Sequence, residues 1–327
     1  MIDPDDMTDV GLGTWVFDKR EWIGDRTPDS VLNTAIDGGI NVIDTAPIYG
    51  QGRSESIIGS VLADRGDRDE VFLSTKCGLN WNDENSVWRD GRPERLETEI
   101  EDSLDRLQTD WIDTYFIHWP DEEMDLRESI EALESFREED QIRYVGLSNV
   151  NVEQIEAAQE VGTVDFLQPP FNLFEKESED ELFPFCREHD IRIMTYSTLC
   201  RGLLTGKYGP DEGDEVHDVR GQDPKFTDRR KEYVMAVRKI QQYLKGEGFD
   251  EMAPAIIRWT ADQEDVTTAL VGARNDDQIR QNLQALNLEL SDEQRAEIRE
   301  IAEGAIFFHV EPEFMAPPSR EEVAKLL

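Results

Sequence analysis

Short apolar runs and amphipathic segments alternate along the chain from end to end. Eight runs have the length and the β-branched or aromatic content of strands: VGLGTW (10–15), INVID (40–44), EVFLSTK (70–76), IDTYFIH (112–118), IRYVGLS (142–148), VDFLQ (164–168), IRIMTY (191–196) and TTALVG (267–272). Between them, apolar residues recur at helical spacing in DSVLNTAIDGG, SESIIGSVLADRG, RPERLETEIEDSLDRLQ, LRESIEALESFREE, NVEQIEAAQEVG, SEDELFPFCREH and NDDQIRQNLQALN, with two more helical segments at 229–244 and 252–261. Gly38 and Gly39 stop the first helix, Pro93 opens another in its first turn, and Gly162 closes a third. Strands alternating with helices read as repeated βαβ units around a parallel sheet. Eight such units with no Pro/Gly/Ser-rich linker predict one closed (β/α)8 TIM barrel, a single domain over residues 1–327.

A β/α barrel carries its chemistry at the C-terminal ends of its strands. Strand two ends at Asp44, strand three at Lys76 and strand four at His118. Strand five runs into Ser148 and Asn149, strand six into Gln168, strand seven ends at Tyr196 and strand eight at Gly272. With Tyr49 close behind Asp44, one barrel mouth collects a carboxylate, an ammonium, an imidazole and a phenol. A phenol titrating near pH 10 is a poor proton donor at neutral pH. An adjacent lysine ammonium favours the phenolate, a carboxylate holds that lysine, and an imidazole can orient a carbonyl oxygen. Together they form a proton relay that polarises C=O while hydride arrives from a cofactor. Singly, each residue has a structural reading (a loop tyrosine, a core histidine, a surface lysine, a helix-capping aspartate). Their occurrence at successive strand ends is what favours chemistry.

Charge sets the surroundings. The chain has 34 Lys and Arg against 73 Asp and Glu, a formal net charge of -39. That excess repels nucleic acids and anionic membranes. The acids are spread over the whole chain, in stretches such as DEEMDL, KESEDE and GPDEGDEVHD, and the apolar patterning rules out a disordered acidic protein. Two readings stand: a solvated acidic surface without special meaning, or adaptation to a cytosol at molar salt, where the Debye length falls to about 3 Å. A count of 9 Lys against 25 Arg favours the second. Residues 211–228, DEGDEVHDVRGQDPKFTD, read as a long, mobile acidic surface loop.

Cys77, Cys186 and Cys200 are odd in number and far apart, which speaks against a disulfide framework or a zinc site and fits a reducing compartment. His189, His217 and His309 lack metal-ligand spacing and read as surface or core residues, so no metal is expected. The N-terminus shows no apolar signal region and no run approaches 18 apolar residues. The expectation is a cytoplasmic protein with no membrane or nucleic-acid partner; oligomeric state stays open. There is no Walker motif and no GxSxG, and GLGTWV has Val16 where a dinucleotide fingerprint needs Gly.

On these residues the chain resembles the aldo-keto reductase superfamily. GGINVIDTAPIYGQGRSESIIG looks like the family signature around its catalytic Asp and Tyr, here Asp44 and Tyr49. LSTK supplies Lys76 and YFIHWP supplies His118, while GLSN, LQPPFN, TYSTLCRGLLTGKY and VGARNDDQIRQNL resemble the cofactor segments in order. The similarity runs over residues 10–286 and is strongest to reductases related to potassium-channel β subunits. It implies NADP(H) bound extended across the barrel mouth. Ser148, Asn149 and Gln168 would meet the nicotinamide carboxamide and Tyr196 its ring. Ser197, Leu199, Gly202 and Lys207 would cross the diphosphate; Arg274, Gln278 and Asn282 would hold the adenosine end, and Gly272, at the end of strand eight, is a further cofactor-binding candidate. Arg274 suits a 2′-phosphate through paired hydrogen bonds, although an ordinary surface arginine is the alternative. Cys200 stands where Gly or Ala is common, and Val271 where many relatives have Pro. Cys200 would then be a small apolar filler or an oxidation-sensitive thiol. Trp15, Trp81 and Trp119 are candidate walls of an apolar carbonyl or alcohol site, with Trp88 nearby, though tryptophans also fill barrel tops. The implied activity is NADP(H)-dependent interconversion of an aldehyde or ketone with its alcohol. The rival reading is a cofactor-binding regulatory subunit with little turnover. A metal-dependent isomerase or aldolase would need ligand clusters at strand ends that the chain does not show.

Overall fold

A computed structural model describes residues 1–17, 28–82, 86–210, 219–304 and 315–325. Its strands are β1 (Val10–Gly13), β2 (Val42–Asp44), β3 (Phe72–Cys77), β4 (Leu79–Trp81), β5 (Val87–Arg89), β6 (Ile112–Ile117), β7 (Ile142–Ser148), β8 (Phe166–Gln168), β9 (Arg192–Thr195) and β10 (Val266–Val271). Eight of them close a parallel barrel in the order β1-β10-β9-β8-β7-β6-β3-β2, the architecture expected from the sequence. The strands are almost entirely buried, which is why they read as near-continuous apolar runs rather than alternating ones.

The barrel interior is filled by Val42, Phe72, Phe116, Phe166, Met194 and Leu270, and a larger apolar layer lies between barrel and helices. Gly146 lets the Phe116 ring in: a Cβ there would sit 2.3 Å from that ring. The described helices are α1 (Pro28–Asp37), α2 (Arg53–Arg65), α3 (Pro93–Leu107), α4 (Leu126–Glu138), α5 (Val152–Gln159), α6 (Leu182–Glu188), α7 (Arg230–Gly246), α8 (Met252–Ala261), α9 (Asp276–Asn282), α10 (Asp292–Glu303) and α11 (Arg320–Ala324). Nine of them fall on the segments read as helical. Among the described residues no helix is long and apolar enough to cross a membrane, and no group of three or more His, Cys, Asp or Glu could hold a metal ion.

The structure departs from the sequence reading in four places. After strand three, where no element is predicted, β4 and β5 pair as an antiparallel hairpin. Helices α10 and α11 were not expected; each begins with a capping box, Ser291 with Gln294 and Ser319 with Glu322. The first strand stops at Gly13, two residues short of Trp15, and His118, Tyr196 and Gly272 lie one residue beyond β6, β9 and β10. Within 211–228, residues 211–218 lie outside the described residues, as do His217 and His309, but the second half is no free acidic loop: Asp223 and Lys225 are fully buried. Their charges are matched by each other and by Arg201 and Glu175, which composition could not show.

Candidate active site

Asp44 is the last residue of β2, and β2 pairs with β3 so that Asp44 lies beside Ser74, two residues before Lys76. Alternation along β3 puts Ser74 and Lys76 on the same face. The Lys76 ammonium donates to Asp44 Oδ2 at 2.7 Å and to the Thr45 carbonyl at 2.8 Å. Asp44 Oδ1 accepts from Ser74 Oγ and from Gln168 Nε2, each at 2.9 Å. Both charges are out of water, a costly arrangement unless paired and hydrogen-bonded, as they are here. Burial pushes the Lys76 pKa down and Asp44 pulls it back up, leaving it below the ordinary lysine value.

Tyr49 sits in the turn after β2, with its N–H donated to the Ala46 carbonyl at 3.0 Å. The Lys76 Nζ lies 5.3 Å from the Tyr49 ring centroid. Across from it, the His118 ring meets Tyr49 edge-on, centroids 6.0 Å apart at 84°. Its backbone N–H is held by the Cys77 carbonyl at 2.9 Å. Burial, and secondarily the Lys76 charge, push the His118 pKa well below its usual value, so the ring is a neutral imidazole at neutral pH. The structure therefore gathers all four residues read from the strand ends. Lys76 stands behind the surface, and Asp44, Tyr49 and His118 face the cleft.

That cleft has a volume of about 1350 Å³ and runs from Tyr49 and His118 past Tyr196 to Arg274, Gln278 and Asn282. Every residue singled out for the cofactor lines it. Asn149, at φ +56°, donates to the His118 carbonyl at 2.8 Å and accepts from the Tyr196 hydroxyl at 2.8 Å. Ser148 Oγ donates to the Gln168 carbonyl at 2.8 Å, and the Gln168 amide nitrogen is given to Asp44. At the far end the Arg274 N–H is held by Gln278 Oε1 at 2.9 Å, and Asn282 Nδ2 lies 3.3 Å from the Gly272 carbonyl. Lys207, Arg220 and Arg274 give this limb positive side chains on a strongly acidic chain. Amides beside the catalytic end and cations along the limb are the donor set that a nicotinamide dinucleotide fits.

Cys200 is buried, and burial pushes its thiol pKa up, which fits the apolar-filler reading better than an oxidation-sensitive one. Trp15 and Trp119 line the mouth, with Leu79 and Val87 from the hairpin. Trp81 is not part of the lining; its ring lies 5.8 Å from the Arg95 guanidinium. The sequence reading missed Arg220 and Gln222, which line the same limb of the cleft, and Met315, Pro317 and Pro318, which complete its mouth. They lie outside any strand-end pattern. Only the SREE capping signal at 319–322 announced an ordered element there.

Comparison with known proteins agrees with this geometry. The family model described as "Aldo/keto reductase family" matches residues 9–303. The aldo-keto reductase YhdN of Bacillus subtilis (strain 168) is 39% identical over 317 residues, covering 96% of both chains. The NADH-specific methylglyoxal reductase of Escherichia coli (strain K12) is 31% identical over 315 residues, covering 90% of this chain and 94% of its own. The solved structure of glycerol dehydrogenase AKR11B4 from Gluconobacter oxydans superposes with a TM-score of 0.83 at 36% identity, covering 95% of this chain and 96% of its own. The chain belongs to the aldo/keto reductase family, and it is an oxidoreductase on a (β/α)8 barrel.

Proposed function

We propose that this family member interconverts a small apolar aldehyde or ketone and its alcohol with NADP(H), Tyr49 acting as general acid and base. The observation that carries the reading is the Asp44–Lys76 pair, buried at 2.7 Å directly behind the phenol and facing a neutral imidazole. Each residue then has a task. A neutral His118 donates an N–H to the carbonyl oxygen and fixes its position beside the Tyr49 hydroxyl. The Lys76 ammonium favours negative charge on the phenol oxygen as its proton leaves, and Asp44 holds that ammonium in place. A bound reduced nicotinamide supplies the hydride. Tyr49 delivers one proton to the carbonyl oxygen, so that the C=O double bond becomes C–O–H, and the proton is regained from solvent; alcohol oxidation runs the same steps backwards.

Asn149, Ser148 and Gln168 would bind the carboxamide, Tyr196 the ring, and Lys207, Arg220 and residues 197–202 the diphosphate. Arg274, Gln278 and Asn282 would hold the adenosine end. Arg274 is the reason for assigning NADP(H) over NAD(H), since a guanidinium pairs with a 2′-phosphate. Charge-assisted hydrogen bonds of about 1.5–3 kcal/mol predict NADPH binding roughly 10- to 100-fold tighter than NADH. Equal affinities, measured by quenching of protein fluorescence, would instead align the chain with the NADH-specific relative. The acidic surface and the buried free cysteines support a place in a salt-rich cytoplasm.

Tyr49→Phe tests the catalytic reading. Loss of a general acid costs about 10²- to 10⁴-fold in turnover, with NADPH affinity unchanged. Carbonyl reduction at the unaltered rate would refute the role. An unaltered protein that binds NADPH but consumes none against a panel of aldehydes and ketones would mark a redox-reporting subunit rather than an enzyme.

A further inference from the structure

Among the described residues outside the four at the mouth, Glu175, Arg201, Asp223 and Lys225 form a buried charge cluster. Arg201 bridges Glu175 and Asp223, the latter at 2.7 Å through Nη2 and 3.0 Å through Nε. The Lys225 ammonium lies 2.9 Å from Glu175 Oε1 and 3.4 Å from Asp223 Oδ1, off the angle of a hydrogen bond, and so acts as a point charge. The four charges cancel, and none of the side chains is more than 4% exposed. Glu175 is the hub: its carboxylate also accepts from Asn172 Nδ2, which donates at 3.1 Å to the Ser197 carbonyl. Burial raises the Glu175 pKa, but Arg201 and Lys225 outweigh it and hold the carboxyl at about 2, so it stays charged at any working pH.

The cluster ties together two walls of the cofactor limb. One wall is the stretch 197–207, which turns through five left-handed residues, Ser197 (φ +64°), Cys200 (+46°), Arg201 (+53°), Gly202 (+91°) and Gly206 (+76°). Three of these are not glycine, and such conformations persist only where surrounding contacts over-determine them. The Arg201 side chain, held by two carboxylates and reaching Ser197 Oγ at 3.2 Å, is such a contact. The other wall is the segment carrying Arg220 and Gln222 into the cleft, anchored just beyond them by Asp223 and Lys225. Ser197, Leu199, Gly202 and Thr205 of this turn line the limb. Its shape here depends on a carboxylate that does not line the cleft.

We propose that Glu175 is a positioning residue for cofactor binding. Through Arg201 and Lys225 it fixes both walls of the diphosphate limb, and thereby governs how tightly and how long a dinucleotide phosphate is held, leaving the chemistry at Tyr49 untouched. This rests on the nicotinamide reading of the cleft.

The test is Glu175→Gln, which keeps an acceptor for Asn172 and leaves one uncompensated positive charge in the cluster. NADPH is titrated by fluorescence and its release followed by stopped flow. 2′-AMP, whose 2′-phosphate and adenine belong to the Arg274 end, is titrated alongside. The expected result is an NADPH Kd raised about tenfold, mainly through faster release, with 2′-AMP affinity within twofold of the unaltered protein. The single-turnover rate at saturating NADPH should also be unchanged. Unchanged NADPH affinity with a lowered Tm overturns the proposal and makes the cluster purely structural, as does a parallel loss of 2′-AMP and NADPH binding. If Glu175→Gln does not fold, Glu175→Gln/Lys225→Met keeps the cluster neutral; it should melt near the unaltered protein and still lose NADPH affinity several-fold, and full affinity overturns the idea. Failure of the unaltered protein to bind either NADPH or NADH would sink the functional reading itself.

Discussion

Glu99 offers a test of how burial and pairing compete in this chain. It lies on α3, where its Oε2 accepts the Gly78 N–H at 3.1 Å just before the hairpin that flanks the cleft mouth. Arg95 approaches at 3.9 Å, Oε1 has no hydrogen-bond partner, and the residue is 1% exposed. Glu55, Arg106, Cys77 and Tyr115 face the same pocket. Burial wins over Arg95 and the Gly78 N–H, and the carboxyl is pushed up from 4.5 to about 8. Because the folded value lies above the unfolded one, the group's contribution is fully present below about pH 4.5 and is lost as pH rises through about 8. Each pH unit in that window is worth about 1.36 kcal/mol, so at pH 8 an ionisable Glu99 costs the fold on the order of 4 kcal/mol. Glu99→Gln removes the titration and retains an acceptor for Gly78. Urea unfolding of both proteins at pH 5, 6, 7 and 8 in the same concentrated salt should show the variant gaining on the parent by about 1.4 kcal/mol per pH unit. A stability difference flat across that range would mean that Arg95 compensates the charge after all, and would refute the reasoning.

Two further outcomes are expected. Lys76→Met leaves the Asp44 carboxylate buried with only the Ser74 and Gln168 donors, and breaking such a pair costs about 3–5 kcal/mol. Turnover should fall at least as far as in Tyr49→Phe, and Asp44→Leu/Lys76→Met should regain most of the melting temperature but no activity; a fully active single variant would remove Lys76 from the mechanism. Dialysis into dilute buffer should unfold a chain of net charge -39 as screening of its surface carboxylates is lost, and circular dichroism unchanged from concentrated salt would contradict the high-salt reading.

What the sequence made legible follows from the range of the interactions. Barrel strands buried on both faces leave apolar runs, and the strand ends, except that of the first strand, are fixed to within a residue by where those runs stop. Asp44, Lys76 and His118 are therefore placed at one mouth by sequence alone, and Tyr49 comes with Asp44 because only a short turn separates them. The hairpin was hidden because three-residue strands such as Leu79–Trp81 are too short for a period to register. Helices α10 and α11 carried readable capping boxes, but neither precedes a strand, so the alternating pattern gave no reason to look. The Glu175 cluster was invisible in principle. Its members span 175–225, and the local composition around Asp223 says only "acidic".

That last case bears on how charge works in the whole molecule. A net charge of -39 describes a surface, and treating every acid alike would have left Asp44, Glu175 and Asp223 indistinguishable from the rest. In the fold each of them faces a buried cation within 2.9 Å, at a distance that dissolved ions do not screen. Added salt therefore relieves repulsion between exposed carboxylates while leaving the buried pairs at full strength. The same salt weakens the attraction of Lys207, Arg220 and Arg274 for a phosphate. On the high-salt reading, a fold that needs salt while its phosphate limb is weakened by it would gain from having that limb's shape fixed by charges that salt does not reach. A buried, neutral cluster centred on Glu175 meets that requirement; a strap of surface ion pairs would loosen in the conditions that keep the rest of the chain folded.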